Sequence, residues 1–230
     1  MDYGYIDRNV AEIRKRIENA VSLRDEGDVL LLAAVKYADI GEINHLHTAL
    51  GINDLGENKV QQLLEHYEGL EDRENINLHF IGTLQTNKVK YIIDKVKLIH
   101  SVDSLKLATE IDRQAKKKGI VMDILVEINS GEEESKSGVA PADAEALCLA
   151  LGDLENINLK GFMTMAPKCE KKEDYYKYFE ETYKNVLDIW TKKLHNIGRP
   201  ILSMGMSESF EEAIASGSDI VRIGRSLFVK

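Results

Sequence analysis

Proline is scarce in this chain and cysteine scarcer: three prolines and two cysteines occur in 230 residues. The two thiols, Cys148 and Cys169, give no disulfide framework and no metal-ligand spacing, and this usage points to the reducing cytosol. Cys148 sits in Ala146-Leu147-Cys148-Leu149-Ala150, a core-like pattern, whereas Cys169 falls in a charged loop. No apolar run approaches the length of a membrane span. The start, Met1-Asp2-Tyr3-Gly4, has no basic region leading into an apolar one, so no secretory signal is visible. Basic charge is also in deficit. Thirty Lys and Arg against 39 Asp and Glu leave a net charge of −9. No basic face dominates, which argues against a general nucleic-acid or membrane-surface role. Lys116-Lys117-Lys118 reads as the polar end of a helix. No Gly-x-Gly-x-x-Gly follows the first strand-like run, so a dinucleotide site is unsupported. The loop Ser130–Gly138 lacks the Gly-x-x-x-x-Gly-Lys-Ser/Thr of a Walker A loop. It reads as a solvated turn, or as a rim that hands a ligand over.

What is present is a regular alternation. Apolar strand-like runs fall at 29–35, 52–55, 78–82, 97–101, 122–128, 158–163, 200–203 and 219–223. Helical patterns fall at 5–25, 39–49, 57–69, 85–94, 104–118, 141–151, 171–194 and 208–216. Asp39, Ser104 and Ser207 stand where N-caps belong, and Gly27, Gly119 and Gly217 where helices end. Pro141, Pro167 and Pro200 each fall at a boundary. Strict strand–helix alternation calls for parallel pairing with helical crossovers. Eight strands over this length fit an α/β fold: a single-domain (β/α)8 barrel spanning 1–230, with an extra helix before the first strand. An open doubly wound sheet is the competitor.

In such a barrel the chemistry sits at the C-terminal strand ends. The most apolar run, Val29-Leu30-Leu31-Leu32-Ala33-Ala34-Val35, is closed by Lys36. A solvated lysine after a strand is the plain reading. A desolvated amine that acts as a nucleophile is the chemical one. The seventh and eighth strand ends tip the balance. Ser203-Met204-Gly205-Met206-Ser207 precedes a helix, and Ile223-Gly224-Arg225-Ser226 leads into the final turn. Small residues and glycine let backbone N–H groups approach an anion, and these two loops are the frequent phosphate site of such barrels. Arg222, inside the last strand, needs a partner or a ligand. Amine, phosphate cradle and inward arginine together suggest pyridoxal 5′-phosphate (PLP), held as a Schiff base on the lysine. A Schiff-base aldolase for a sugar phosphate is the runner-up from these residues. His79 and His100 read as core histidines, His100 with the better claim on the pocket rim. Tyr175, Tyr176, Tyr178 and Phe179 belong to a helix expected to cover the barrel exterior.

Longer segments carry a resemblance. They are Leu32–Lys36, Gly56–Gln61, His79–Lys88, Ile99–Ser104, Ser130–Gly138, Gly161–Met165, Leu202–Ser207 and Val221–Gly224. In this order they resemble the YggS/PROSC family, the pyridoxal phosphate homeostasis proteins, over nearly the whole chain. The resemblance implies a barrel like the N-terminal domain of alanine racemase, with PLP on Lys36. It implies that Ser207, Gly224, Arg225 and Ser226 contact the phosphate and that Arg222 faces the pyridine nitrogen. Asn58, Ile81, Met165 and Ser203 would line the ring pocket. The implied role is a cytoplasmic, monomeric cofactor carrier or buffer serving PLP-dependent apoenzymes, without metal, nucleic acid or membrane. The alternative is a minimal amino-acid racemase or lyase. Against it stand an arginine that weakens the electron sink, no assignable second base, and an expectation that no second domain follows Lys230. The chain departs from the family in three places. Val35 stands where Ser or Thr is common, Tyr37-Ala38-Asp39 replaces a segment that often holds proline, and Arg225 replaces a Thr or Ser.

Overall fold

The computed structural model describes residues 2–24, 27–131, 137–193 and 198–230. Eight parallel strands close on themselves in sequence order. They are β1 (Leu30–Ala34), β2 (Asp54–Glu57), β3 (Asn77–Phe80), β4 (Leu98–Val102), β5 (Met122–Ile128), β6 (Ile157–Thr164), β7 (Ile201–Ser203) and β8 (Ile220–Ile223). The helices are α1 (Gly4–Val21), α2 (Ile40–Thr48), α3 (Val60–Gly69), α4 (Val89–Ile92), α5 (Leu105–Lys118), α6 (Pro141–Leu151), α7 (Lys172–Lys193) and α8 (Phe210–Ala215). The closed barrel is the one the alternation predicts. The seam is β1 against β8, in the register Leu30 to Ile220 through Ala33 to Ile223.

Local chemistry explains most boundaries. The Asp39 side chain accepts the N–H of Glu42, whose own carboxylate takes the N–H of Asp39, a capping box that starts α2. Ser104 accepts the N–H of Leu107 and starts α5; Gly119, at φ 66°, ends it in the left-handed region. Two expectations need correction. The pattern at 85–94 condenses to one 3-10 turn and the short α4, because Val89, Ile92 and Ile93 already bury its apolar face. Ser207 is not an N-cap either: α8 begins two residues later, after Ser209, whose Oγ accepts the N–H of Met206.

Two apolar shells hold the barrel. The larger lies between strands and helices. The smaller fills the interior and contains Leu32, Leu98, Leu125, Met163 and Ile220. Gly161 fixes one irregularity: the pairing of β5 with β6 shifts there, and a Cβ would lie 2.0 Å from the carbonyl oxygen of Ile201. Helix α1 buries Ile6, Val10, Ile13, Ile17 and Ala20, one stripe at helical spacing. It clamps the end of the chain: the Asn9 amide donates to the carbonyls of Leu227 and Val229, at 3.1 and 2.8 Å. The Arg16 guanidinium forks onto Glu211 at 3.0 and 2.9 Å and lies over the Phe210 ring. Cys148 is buried, with its thiol pushed up to about 12 by desolvation.

Candidate functional site

The C-terminal strand ends open into one cavity of about 740 Å³. Its walls include eight of the residues singled out in the sequence: Lys36, Asn58, Ile81, Met165, Ser207, Arg222, Gly224 and Arg225. They come from β1, β2, β3, β6, β7 and β8, so barrel closure alone brings them together. Ser203 and Ser226 do not form part of that wall. Ser203 is fully buried and sits a layer deeper, bonded to Arg222. Ser226 stands behind Ser207, its Oγ donating to the Ser207 Oγ at 2.9 Å.

Lys36 follows β1 by two residues and is half-buried, not a fully solvated strand-end lysine. The Gln62 amide donates to its carbonyl at 2.8 Å and fixes the backbone. Its Nζ lies 5.2 Å from the centroid of the exposed Tyr37 ring, so the aromatic that departs from the family pattern stands beside the amine. Val35, the other departure, is core.

Arg222 supplies the buried cation. Its NH1 donates to the carbonyl and the hydroxyl of Ser203, both at 2.7 Å, and its NH2 to the carbonyl of Thr164 at 2.8 Å. No carboxylate pairs with it among the described residues. Desolvation brings it down to about 10, with the charge of Glu127 opposing; it stays cationic at neutral pH. Gly224 brings β8 close to β1: a Cβ there would lie 3.0 Å from the Ala34 carbonyl oxygen and 3.3 Å from the Ala34 Cβ. Bare backbone therefore faces the cavity beside Ser207, and Arg225 adds a guanidinium where the family pattern has a hydroxyl. The Asn58 Oδ1 is buried without a partner, an unspent polar group where β2 meets the cavity.

Two wall residues escaped the sequence reading. Glu127, near the end of β5, is buried and accepts the Ser137 hydroxyl at 3.0 Å. Desolvation raises its pKa, helped by Asp103 and opposed by Ser137 and Arg222. A carboxylate inside Leu125-Val126-Glu127-Ile128 is the same signal that singled out Arg222, and it was there to be seen. Tyr175 lines the cavity instead of covering the exterior, and its hydroxyl accepts the N–H of Cys169. His100 is not at the rim. It is fully buried in the interior, between His79 and Ser203, because β4 runs on past it to Val102. The hand-over rim expected at Ser130–Gly138 centres on residues 132–136, outside the described residues.

Fold and site thus define a (β/α)8 barrel with a lysine at the first strand end and a glycine and an arginine at the last, all on one cavity wall. The model of the alanine racemase N-terminal domain matches residues 2–230. The chain is 42% identical over 223 residues to the pyridoxal phosphate homeostasis protein of Aquifex aeolicus, covering 97% of this chain and 95% of that one. It is 35% identical to the protein of that name in Pseudomonas aeruginosa, over 97% and 94% of the two chains. The chain belongs to the family of the pyridoxal phosphate homeostasis proteins. These relatives are named for homeostasis, not for a catalysed reaction. Among solved structures, PipY of Synechococcus elongatus with PLP bound superposes at a TM-score of 0.85, with 27% identity, covering 97% of this chain and all of that one. An alanine racemase of Clostridium difficile shares the fold at a TM-score of 0.72, and this chain spans 56% of its length. No helix among the described residues is long and apolar enough to cross a membrane.

Proposed function

We propose that the cavity binds PLP, that Lys36 anchors it covalently, and that the chain acts as a cytosolic carrier or buffer of the cofactor. The observation that carries this is the gathering of three features on the wall of one cavity, at the seam of β1 and β8: the Lys36 amine, the buried Arg222 cation, and the bare backbone of Gly224 beside Ser207. The residues fit the group. Gly224 presents backbone without a side chain to the cavity, the Ser207 hydroxyl and Arg225 stand on the same wall, and Asn58 holds a spare polar atom. When bound, the cofactor supplies an aldehyde for the amine and a pyridine ring able to take up electrons.

Each side chain then has a role. Gly224, Ser207 and Arg225 would hold the phosphate, with Ser226 acting through the Ser207 hydroxyl; Ile81 and Met165 would line the ring pocket, and Asn58 would meet a ring substituent. Ser203 acts through Arg222. Arg222 would be the partner of the ring nitrogen, where a cation would disfavour its protonation and weaken the electron sink. That suits storage better than turnover. The unit is the barrel of residues 1–230 acting as a monomer, with PLP-dependent apoenzymes as recipients. One observation favours an enzyme instead: Glu127 is a buried, protonatable carboxyl on the cavity wall, a general acid or base in waiting.

The test is a spectrum. Purified protein given PLP should gain a visible band that borohydride clears, and Lys36→Ala should lack it. A wild-type chain that stays colourless refutes the assignment. Amino-acid turnover lost in both Lys36→Ala and Glu127→Gln would replace the carrier with the enzyme.

A further inference from the structure

A continuous line of hydrogen bonds crosses the barrel interior beneath the cavity. Arg222 NH1 donates to the Ser203 Oγ at 2.7 Å. Ser203 Oγ lies 3.0 Å from His100 Nδ1, and His100 Nε2 lies 2.9 Å from His79 Nδ1. His79 Nε2 in turn lies 3.1 Å from Asp54 Oδ1. Five strands contribute, β8, β7, β4, β3 and β2, and the line ends at the first residue of β2, near the far mouth of the barrel. Every member between the ends is almost wholly buried: His79 is 3% exposed, His100 and Ser203 0%.

The protons in this line can be assigned. The guanidinium can only donate, and a carboxylate can only accept. Suppose His79 were doubly protonated and donated to both neighbours. His100 would then accept at Nε2 and donate from Nδ1 to Ser203. The Ser203 hydroxyl proton would be left, inside the barrel, with no acceptor among the described residues, and a second buried cation would sit near Arg222. An orphaned buried donor is costly. In the reverse arrangement nothing is orphaned. Arg222 donates to Ser203, Ser203 to His100 Nδ1, His100 Nε2–H to His79 Nδ1, and His79 Nε2–H to Asp54. Burial above all, with the Arg222 cation nearby, holds His100 well below the ordinary imidazole range, in keeping with a neutral ring.

We propose that Ser203, His100, His79 and Asp54 form a one-directional relay that positions Arg222 at the cavity floor, both imidazoles being neutral and carrying their proton on Nε2. These are positioning residues: only Arg222 reaches the cavity. The relay fixes the Ser203 hydroxyl as an acceptor toward the guanidinium and connects that cation to the carboxylate of Asp54. Neutral hydrogen bonds polarised in one sense strengthen one another. This rests on the reading of Arg222 as the partner of the cofactor ring.

Two measurements test it separately. Nitrogen-15 NMR of the histidine rings, without cofactor, should show His79 and His100 both neutral with the Nε2–H tautomer at pH 7. A doubly protonated His79, or a proton on Nδ1 of either ring, overturns the relay. Asp54→Asn keeps shape and volume, lies away from the cavity wall, and removes the terminal charge. With PLP it should bind about tenfold more weakly and shift the pH midpoint of the visible band; restoring the carboxylate as Glu in Asp54→Glu should recover part of both. Ser203→Ala, which breaks the line beside Arg222, should give the same two changes and release the His100 tautomer. If the tautomers are as assigned but affinity and midpoint stay unmoved in both variants, the relay does not position Arg222. If wild-type protein takes no PLP, the cofactor reading and this positioning role fail together, and the tautomer result stands on its own.

Discussion

Gly224→Ala tests the proposed phosphate cradle apart from the rest of the barrel. The added Cβ would meet the Ala34 carbonyl oxygen at 3.0 Å and the Ala34 Cβ at 3.3 Å. Both are backbone or nearly so, and neither can swing aside as the end of a long side chain would. The ends of β8 and β1 must therefore part by a few tenths of an ångström at the seam of the barrel. Inserting one methyl into a packed site costs about 1–3 kcal/mol. The strand ends are the freer part of the seam, so about 1 kcal/mol is expected, or a Tm lower by about 2–4 °C in a chain of this size. The effect on the ligand should be larger than that. If the backbone there holds the phosphate as proposed, moving it should weaken PLP binding at least tenfold, a loss of about 1.4 kcal/mol or more. Thermal melts and titration of the visible band measure the two effects on the same samples. A variant with a lowered Tm and unchanged PLP affinity would refute the argument, because the close approach at Gly224 would then serve only strand packing.

Asn9→Ala is the matched control, and should lose about 1–2 kcal/mol, because its amide holds the carbonyls of Leu227 and Val229. Its Tm should fall while PLP binding at room temperature is kept; lost binding would mean that α1 shapes the cavity. The pH dependence of stability follows from two buried groups, Glu127 and His100, and the half-buried Asp219. Desolvation raises Glu127 and Asp219, so the folded chain keeps those protons to higher pH than the unfolded chain. Their contribution is fully present in acid and is lost as pH rises through the raised values. His100 is lowered, so its contribution is present above the ordinary histidine value of about 6.5 and is lost as pH falls below it. Urea titrations of Glu127→Gln should show the variant gaining on wild type between pH 4 and 7, and a difference flat with pH would remove Glu127 from the account.

Lys36, the strand order and the two terminal loops were legible because each is a local pattern: an apolar run with a charged stop, alternation, small residues before a helix. Residue facing was not. His100 lies inside the strand-like run, but β4 runs past it to Val102, and the sequence does not say which side of the sheet it takes. Its bond to Ser203 spans 103 residues. No periodicity reaches that far; only closure of the barrel brings β4 and β7 within a side chain's length. Ser207 shows the opposite limit. A serine before an apolar run reads as a cap, yet Ser209 takes up the N–H of Met206 and α8 starts after it, which leaves the Ser207 hydroxyl to Ser226 and the cavity.

The charge balance of the cavity gives the reason an anion belongs there. Arg222 is buried without a carboxylate in contact, answered by two carbonyls and a hydroxyl. Dipoles satisfy its hydrogen bonds but leave its charge uncompensated, and a buried charge left so is expensive. Lys36, Lys59, Lys168 and Arg225 add four more cations to the wall, against Glu208 and a Glu127 that burial draws toward its neutral form. The cavity is thus locally cationic in a chain of net charge −9. The surface as a whole repels anions, so an anionic ligand that enters is held by the strand ends alone. A phosphate held at Gly224, as proposed, would restore the local balance. If the Lys36 amine and that phosphate site hold one cofactor, they share one field, and loss of either should weaken the other.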